Sequence, residues 1–400
     1  MATKKTQTNA TAKASKRTRD GKRAYRRIVA KFGTSLLTAS TDRLNLEVMA
    51  ALVGQVARLR HKGAEVIVVS SGAIAAGRHR LGVTDEPADG KRLSRKDIPF
   101  RQVLASVGQS HLMQSYDQLF AWHDLVVGQT LLTRRDLGDR VGYLNARNTL
   151  LALLELGVVP IVNENDAVAV DEIEAPHIGD NDNLSALVAN LIDADLLVML
   201  TDTGGLHTAD PRRDPNAELV PRVERITPDV EELADDSGTP HGIGGMVTKL
   251  QAAKLATAGG ADVVIAGGHV PNALERLARG DAVGTFFPAT SDQMESRKRW
   301  MLSGLAARGK IVVDAGATKA LLSQGKSLLP AGVREVGGRF ERGDSVSIYD
   351  DAGARIAIGI TNYGNDDVAA LCGVRSDRIA EVLGHEYGAE VVHRNNLVLL

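Results

Sequence analysis

The sequence predicts an α/β protein: a three-layer sandwich around a largely parallel sheet, followed by a small β-rich barrel. Three observations carry this. Nearly continuous Val/Ile/Leu runs alternate with amphipathic helices from Ile28 to Phe287, the pattern of parallel strands covered on both faces. After Phe287 the pattern changes to short strands separated by glycine turns. Glycine supplies 40 of 400 residues and aromatics only 4%, which suits many tight strand-to-helix turns better than a β-sandwich. A chain of 400 residues that is 44% apolar also exceeds one ordinary core, so at least two domains are expected.

The elements follow in order. Arg27 to Lys31 reads as a short strand. Leu44 to Leu59 reads as a helix with Leu44, Val48, Leu52, Val56 and Leu59 on one face, and Glu65 to Ser70 as a second strand. The unit repeats with helix Gln102 to Trp122, strand Leu125 to Thr130, helix Tyr143 to Leu156, strand Val158 to Val162, helix Leu184 to Ile192, strand Leu196 to Leu200, helix Met246 to Ala258 and strand Asp262 to Ala266. Thr84 to Pro99, with eight charged residues in sixteen, interrupts this as an expected exposed loop. Past a polar stretch, Ile311 to Val313, Val333 to Val336, Val346 to Tyr349, Arg355 to Ile360 and Glu390 to Val392 read as strands, with brief helices near Thr318 and Asp377. The expected division is a disordered basic tail at 1–26, a large domain at 27–297 and a small one at 300–400.

Charge and cysteine use exclude several classes. The whole chain carries a net charge of −1, so it is neither a polycation nor an acidic disordered protein. Residues 1 to 27 hold ten Lys and Arg against Asp20, so the body is mildly acidic. Cys372 is the single cysteine, which rules out an internal disulfide and a thiolate-rich zinc site. No apolar run is long enough to span a bilayer, and no signal-peptide core follows the basic start, so a cytoplasmic protein without a membrane span is expected. There is no Walker P-loop, no G-x-G-x-x-G after the first strand and no G-x-S-x-G elbow. Asp180 to Asn183 fails as a calcium loop, since no turn glycine follows and Leu191 stands where a bidentate Glu belongs.

Three glycine-bearing turns remain, each where an open α/β sheet places ligands, beyond a strand's carboxyl end. Lys31-Phe32-Gly33-Thr34-Ser35 sets a lysine beside flexible backbone. Ser71 to Gly77 is a small-residue helix start whose free N–H groups would attract an anion, or a close packing contact. Gly242 to Lys249 is a glycine cluster opening a helix with a lysine one turn inside, which suits phosphate oxygens. Between them lie Asn163-Glu164-Asn165-Asp166 and Gly179 to Asn183. Their side chains Asn163, Asn165, Asp166, Asp180, Asn181 and Asp182 would line a pocket for a zwitterion's ammonium. Nucleotide on one side and a small acid on the other implies phosphoryl transfer.

Together these segments, with Thr201-Asp202 and Gly205 to Pro211, closely resemble the glutamate 5-kinase family of amino-acid kinases. Arg297-Lys298-Arg299-Trp300 and the tail resemble that family's C-terminal PUA domain. The resemblance runs from about Arg27 almost to Leu400, departing where His207 replaces a tyrosine and Ile243 a threonine. It implies ATP-dependent phosphorylation of the γ-carboxylate of L-glutamate, the first step of proline biosynthesis, with Mg²⁺, feedback inhibition by proline, and homo-oligomers. It implies Lys31 and Lys249 at the transferring phosphoryl group and Asp182 orienting them. Ser71, Asp166 and Asn181, with Asn163 and Asp180 nearby, would take glutamate. Thr201, Asp202, Ile243, Gly244, Gly245, Met246, Val247, Thr248 and Lys249 would take ATP. Two rivals stand beside it. Lys31 to Ser35 also resembles the opening of aspartokinases, but the β-rich tail does not read as their regulatory module. PUA domains elsewhere bind RNA, but residues 300 to 400 hold no Lys/Arg run and few stacking aromatics, which argues against RNA.

Overall fold

The structure, a computed structural model, describes residues 25–41, 43–83, 98–168, 180–211, 213–235, 245–291 and 307–400, the side chains of Asp180 and Asn395 excepted. Residues 1–24 of the expected basic tail and most of the charged loop at 84–99 lie outside the described residues, whereas Tyr25 and Arg26, expected in that tail, join the large domain: Tyr25 donates to Asp262 and Arg26 pairs with Glu65.

Seven strands form the large sheet: β1 (Arg27–Phe32), β2 (Glu65–Ser70), β3 (Val127–Leu132), β4 (Val159–Glu164), β5 (Leu196–Thr201), β6 (Asp262–Gly267) and β7 (Thr285–Phe287). They lie in the order β3-β4-β2-β1-β5-β6-β7. All neighbours are parallel except β7, which runs antiparallel to β6. β4, β5 and β6 are buried at every position, as their unbroken apolar runs require. The chain builds one way from β1 to β2 and then returns to β1's other side with β5. The switch in direction therefore falls at the end of β1, where ligands bind in open α/β sheets.

Side-chain alternation along the strands sorts the apolar residues into two layers. Val29, Ile67, Val69, Leu197 and Met199 face helices Arg140–Glu155, Asp180–Leu191 and Met246–Gly259. Ile28, Ala30, Phe32, Val66 and Val68 face helices Leu46–His61, Ile98–Ala121 and Ala273–Ala278. The three-layer sandwich is thus as expected.

A second sheet follows from β8 (Gly309–Val313), β9 (Val333–Gly338), β10 (Ser345–Tyr349), β11 (Arg355–Ile360) and β12 (Leu397–Leu399), in the order β12-β11-β10-β8-β9. Only β8 and β10 pair in parallel. Its core, including Ile311, Val346, Ile348, Tyr363 and Val392, is its own. The segment Glu390 to Val392, expected as a strand, makes only an isolated bridge between Leu328 and Val392. The sheet closes instead with Leu397–Leu399 on β11. Val391 and Val392 are buried all the same, and burial rather than pairing is what their apolar pattern recorded. Helix Arg140–Glu155 touches this unit: Leu144 clusters with Ile360 and Val398, and Arg342 donates to Asn145.

The small-residue segment after β2 becomes helix Ala73–Arg80, and its last glycine serves packing. A Cβ on Gly77 would stand 1.9 Å from the Leu104 carbonyl oxygen, and one on Gly108 would stand 1.7 Å from that of Ala73. Two helices meet there backbone to backbone, a contact that only glycine permits. Gly108→Ala is expected to destabilise the protein by about 3 kcal/mol through overpacking, read as a lowered urea midpoint; an unchanged midpoint would show that the helices part freely.

Candidate active site

The strand register brings the polar segments to one edge of the large sheet. Phe32 lies opposite Ser70 and Leu200, Val69 opposite Val162, and Thr201 opposite Gly267. Gly33, Ser71, Asn165 and Asp202 therefore all leave the sheet on the same side. Three helices there start behind glycine N-caps that supply no side-chain acceptor: Gly33, Gly72 and Gly245. Their first N–H groups are left for another acceptor. Gly72 needs its missing side chain, since its φ is +102°.

Lys31 occupies the same face of β1 as Val29, flanked across the ladder by Val69 and Met199. That face is covered by the two helices that deliver its partners. Asp182 comes from the first turn of Asp180–Leu191, and Lys249 from the first turn of Met246–Gly259. Lys31 Nζ lies 2.7 Å from Asp182 Oδ1, and Lys249 Nζ 3.3 Å from Oδ2. Thr248 Oγ1 is 2.7 Å from the same Oδ2. Asp182 is 2% exposed and each lysine 6%.

Burial by itself would raise the Asp182 carboxyl, but Lys31, Lys249 and the Thr248 hydroxyl outweigh it and hold the group at about 2. Lys249 is lowered by burial, with the like charge of Lys31 adding and Asp182 opposing. The Asp182 carboxylate thus stands between the two lysines, and the carboxylate of Asp202 also acts on Lys249.

The other expected residues take distinct places. Ser71 is buried just beyond β2, its N–H donating to the Phe32 carbonyl at 3.1 Å. Behind it the Ser70 hydroxyl bonds the Ser71 carbonyl at 3.0 Å and the fully buried Tyr116 hydroxyl at 2.8 Å. Asn163 lies buried at the end of β4, donating to Gln109 at 2.8 Å and accepting from the Glu164 N–H, so its amide is engaged by the protein. Asp166 is half-exposed in the following turn. Asn181 keeps a buried Oδ1 with no hydrogen-bond partner among the described residues, the mark of a group awaiting a donor. Asp180 opens the helix, its side chain outside the described residues. Thr201 ends β5 and donates to Asp202 at 2.9 Å, while Asp202 is exposed. Gly245, Met246 and Val247 begin their helix half-buried; Ile243 and Gly244 lie outside the described residues. Direct contact thus unites Lys31, Asp182, Thr248 and Lys249, while Ser71, Asn163, Thr201 and Asp202 share the edge through strand register.

Tyr116 and Gln109 escaped the sequence reading. Both sit inside a helix read only for its apolar face, and nothing local marks them. Among the described residues no group of three or more His, Cys, Asp or Glu converges as a metal cage, and no helix is long and apolar enough to cross a membrane.

Known proteins resemble this chain in the same regions. The amino acid kinase family matches residues 26–267 and the PUA domain residues 309–383. A glutamate 5-kinase of Dehalococcoides mccartyi is 55% identical over 94% of this chain and 99% of its own length. Those of Herpetosiphon aurantiacus and Shewanella oneidensis are 52% and 48% identical over 94% of this chain and 98% of theirs.

The Asp182 carboxyl sits below its unfolded-state value, so its contribution to stability is complete above about pH 4 and is lost as pH falls towards 2. Asp182→Asn removes the carboxylate that two buried ammonium groups share and is expected to cost about 3 kcal/mol at neutral pH. The deficit should shrink in urea titrations repeated at successively lower pH below 4. A deficit independent of pH would show that the carboxylate is not held ionised by the lysines.

Proposed function

Because the chain belongs to the amino acid kinase family, among its glutamate 5-kinases, we propose that it transfers the γ-phosphoryl group of ATP to the γ-carboxylate of L-glutamate. The products are ADP and γ-glutamyl phosphate, and the reaction opens proline biosynthesis. The observation that carries the chemistry is the buried pair of lysines sharing one aspartate.

A glutamate carboxylate is ionised at neutral pH, its ordinary pKa being about 4.3, so the nucleophile needs no general base. The obstacle is repulsion. Two unit negative charges about 4 Å apart cost about 4 kcal/mol at an effective dielectric of about 20, and the γ-phosphate carries more than one. The charge of the lysine pair offsets this along the line of transfer, already desolvated and fixed before the reaction starts. Lys31 and Lys249 contact the transferring group, and Asp182 holds them apart from each other and in place. Ser71, Asp166 and Asn181 bind glutamate, the open Asn181 carboxamide oxygen accepting from its ammonium; Asn163 shapes the wall, with Asp180 beside it. Thr201, Asp202 and the backbone of the turn from Ile243 to Lys249 bind ATP, with Gly244 and Gly245 at the phosphates.

Mg²⁺ fits this donor set as a companion of the nucleotide: Asp182 is committed to the lysines, and a metal that keeps most of its waters needs phosphate oxygens more than a protein cage. When bound it would neutralise phosphate charge. Proline, which shares glutamate's α-carboxylate and a neighbouring ammonium, competes for the pocket of Asp166 and Asn181. The enzyme works in the cytoplasm as a homo-oligomer. Full-length relatedness to glutamate 5-kinases, C-terminal domain included, favours this reading over an aspartokinase-like enzyme or an RNA-binding protein.

Glutamate with MgATP should yield a product that hydroxylamine traps as a hydroxamate; ADP release without hydroxamate, or with aspartate as the better acceptor, would overturn the assignment. Lys249→Ala should lower kcat by about 10² or more, the loss typical of one preorganised donor to transition-state charge. A raised KM for ATP at unchanged kcat would make Lys249 a binding group only.

A further inference from the structure

We propose that the Thr248 hydroxyl is a positioning group for Asp182 rather than a nucleotide contact, and that it decides which carboxylate oxygen faces which lysine. The inference rests on the kinase reading and adds to it a residue whose effect passes entirely through another side chain.

Thr248 is buried at the third position of helix Met246–Gly259. Its Oγ1 stands 2.7 Å from Asp182 Oδ2 and 2.8 Å from the Gly245 carbonyl oxygen. A hydroxyl carries one proton, and both neighbours are acceptors. An ionised carboxylate is the stronger acceptor, so the proton points at Asp182. The approach to Gly245 has a separate meaning. Threonine in a helix is stiff at χ1, and one of its two favoured rotamers sets Oγ1 against the carbonyl three residues back. The rotamer seen here is that one, and it is the rotamer that aims the hydroxyl at Asp182.

The need for such a group follows from the other two donors. Lysine ammonium groups sit on long flexible stems, and the terminal torsion of an aspartate is soft. Two lysines and one carboxylate could therefore exchange oxygens or share one. In the structure they do not: Oδ1 faces Lys31, and Oδ2 takes Lys249 and Thr248 together. The short, rotamer-locked hydroxyl is the only one of the three donors fixed closely to backbone. It holds the carboxylate plane, and the plane spaces the two ammonium groups that must meet the phosphoryl oxygens. Small displacements of such groups are costly to the rate. The charged groups facing Asp182 are Lys31 from β1 and Lys249 from the helix, with Asp202 acting on Lys249 from beyond β5.

The test compares Thr248→Val, which keeps the branched shape and loses the proton, with Thr248→Ser, which keeps the proton. Thr248→Val should lower kcat ten- to a hundredfold, the range for a lost hydrogen bond to a charged acceptor. The KM for ATP should move less than about threefold, and Thr248→Ser should recover most of the loss. Carbon-13 carboxyl spectra of aspartate-labelled protein give a readout that needs no turnover: the Asp182 resonance should begin to titrate at higher pH in Thr248→Val than in wild type or Thr248→Ser. Thr248→Ala, assayed below its own melting temperature, replaces Thr248→Val if that variant does not fold. A raised KM for ATP with kcat and the titration unchanged would overturn the proposal in favour of a nucleotide contact. So would a loss of melting temperature with both readouts unmoved. A wild-type protein without glutamate-dependent turnover would instead defeat the kinase reading, and the titration would still decide the role of Thr248.

Discussion

One carboxylate held between two ammonium groups, out of reach of water, is the arrangement on which the rest of this protein depends. A buried charge is tolerated only when its partners are exact, and Asp182 draws them from two segments distant in the chain, β1 and the start of helix Met246–Gly259. β1 must be central so that Lys31 is covered, and helices Asp180–Leu191 and Met246–Gly259 must start beside its end. The cluster also lies beside helices whose glycine N-caps, Gly33 and Gly245, offer no side-chain acceptor to the first N–H groups.

The sheet makes this placement inexpensive. The parallel strands end on one side, so the turns after β1, β2, β4 and β5 all reach the same edge. Rigid strands set the spacing, and the first turns of two helices bring Asp182, Thr248 and Lys249 against Lys31. The glycines do two unlike jobs in that frame: Gly33, Gly72 and Gly245 leave N–H groups uncapped, while Gly77 and Gly108 let two helices touch. Ser71 to Gly77 therefore holds a glycine N-cap without a side-chain acceptor, Gly72, and a packing contact, Gly77, five residues apart.

Much of this was legible in the sequence because it is periodic or local. Strands β1, β2, β4, β5 and β6 are short apolar runs between helices, and Lys31 and Lys249 sit beside turn glycines. What escaped is what depends on distant partners. Nothing near Thr248 says that its hydroxyl meets a carboxylate 66 residues earlier, and Tyr116 reads as core until its hydroxyl is found on Ser70. β3 begins two residues later than expected because Leu125 and Val126 are apolar, though Val126 is left 67% exposed. Glu390 to Val392 failed for the complementary reason: burial without a partner strand gives the same pattern as burial with one.

The position of Lys31 has a consequence for how the chain finds its fold. β1 is flanked by strands of nearly uniform aliphatic character, and uniform strands slide past one another at little cost. Shifted by one residue, β1 would turn Lys31 away from Asp182 and into the layer of Ile28, Ala30 and Phe32, an ammonium group among hydrocarbon. Every alignment of β1 shifted by an odd number of residues meets that penalty. The buried charge of Lys31 thus acts as a register key, penalising misaligned sheets that hydrophobicity alone would accept.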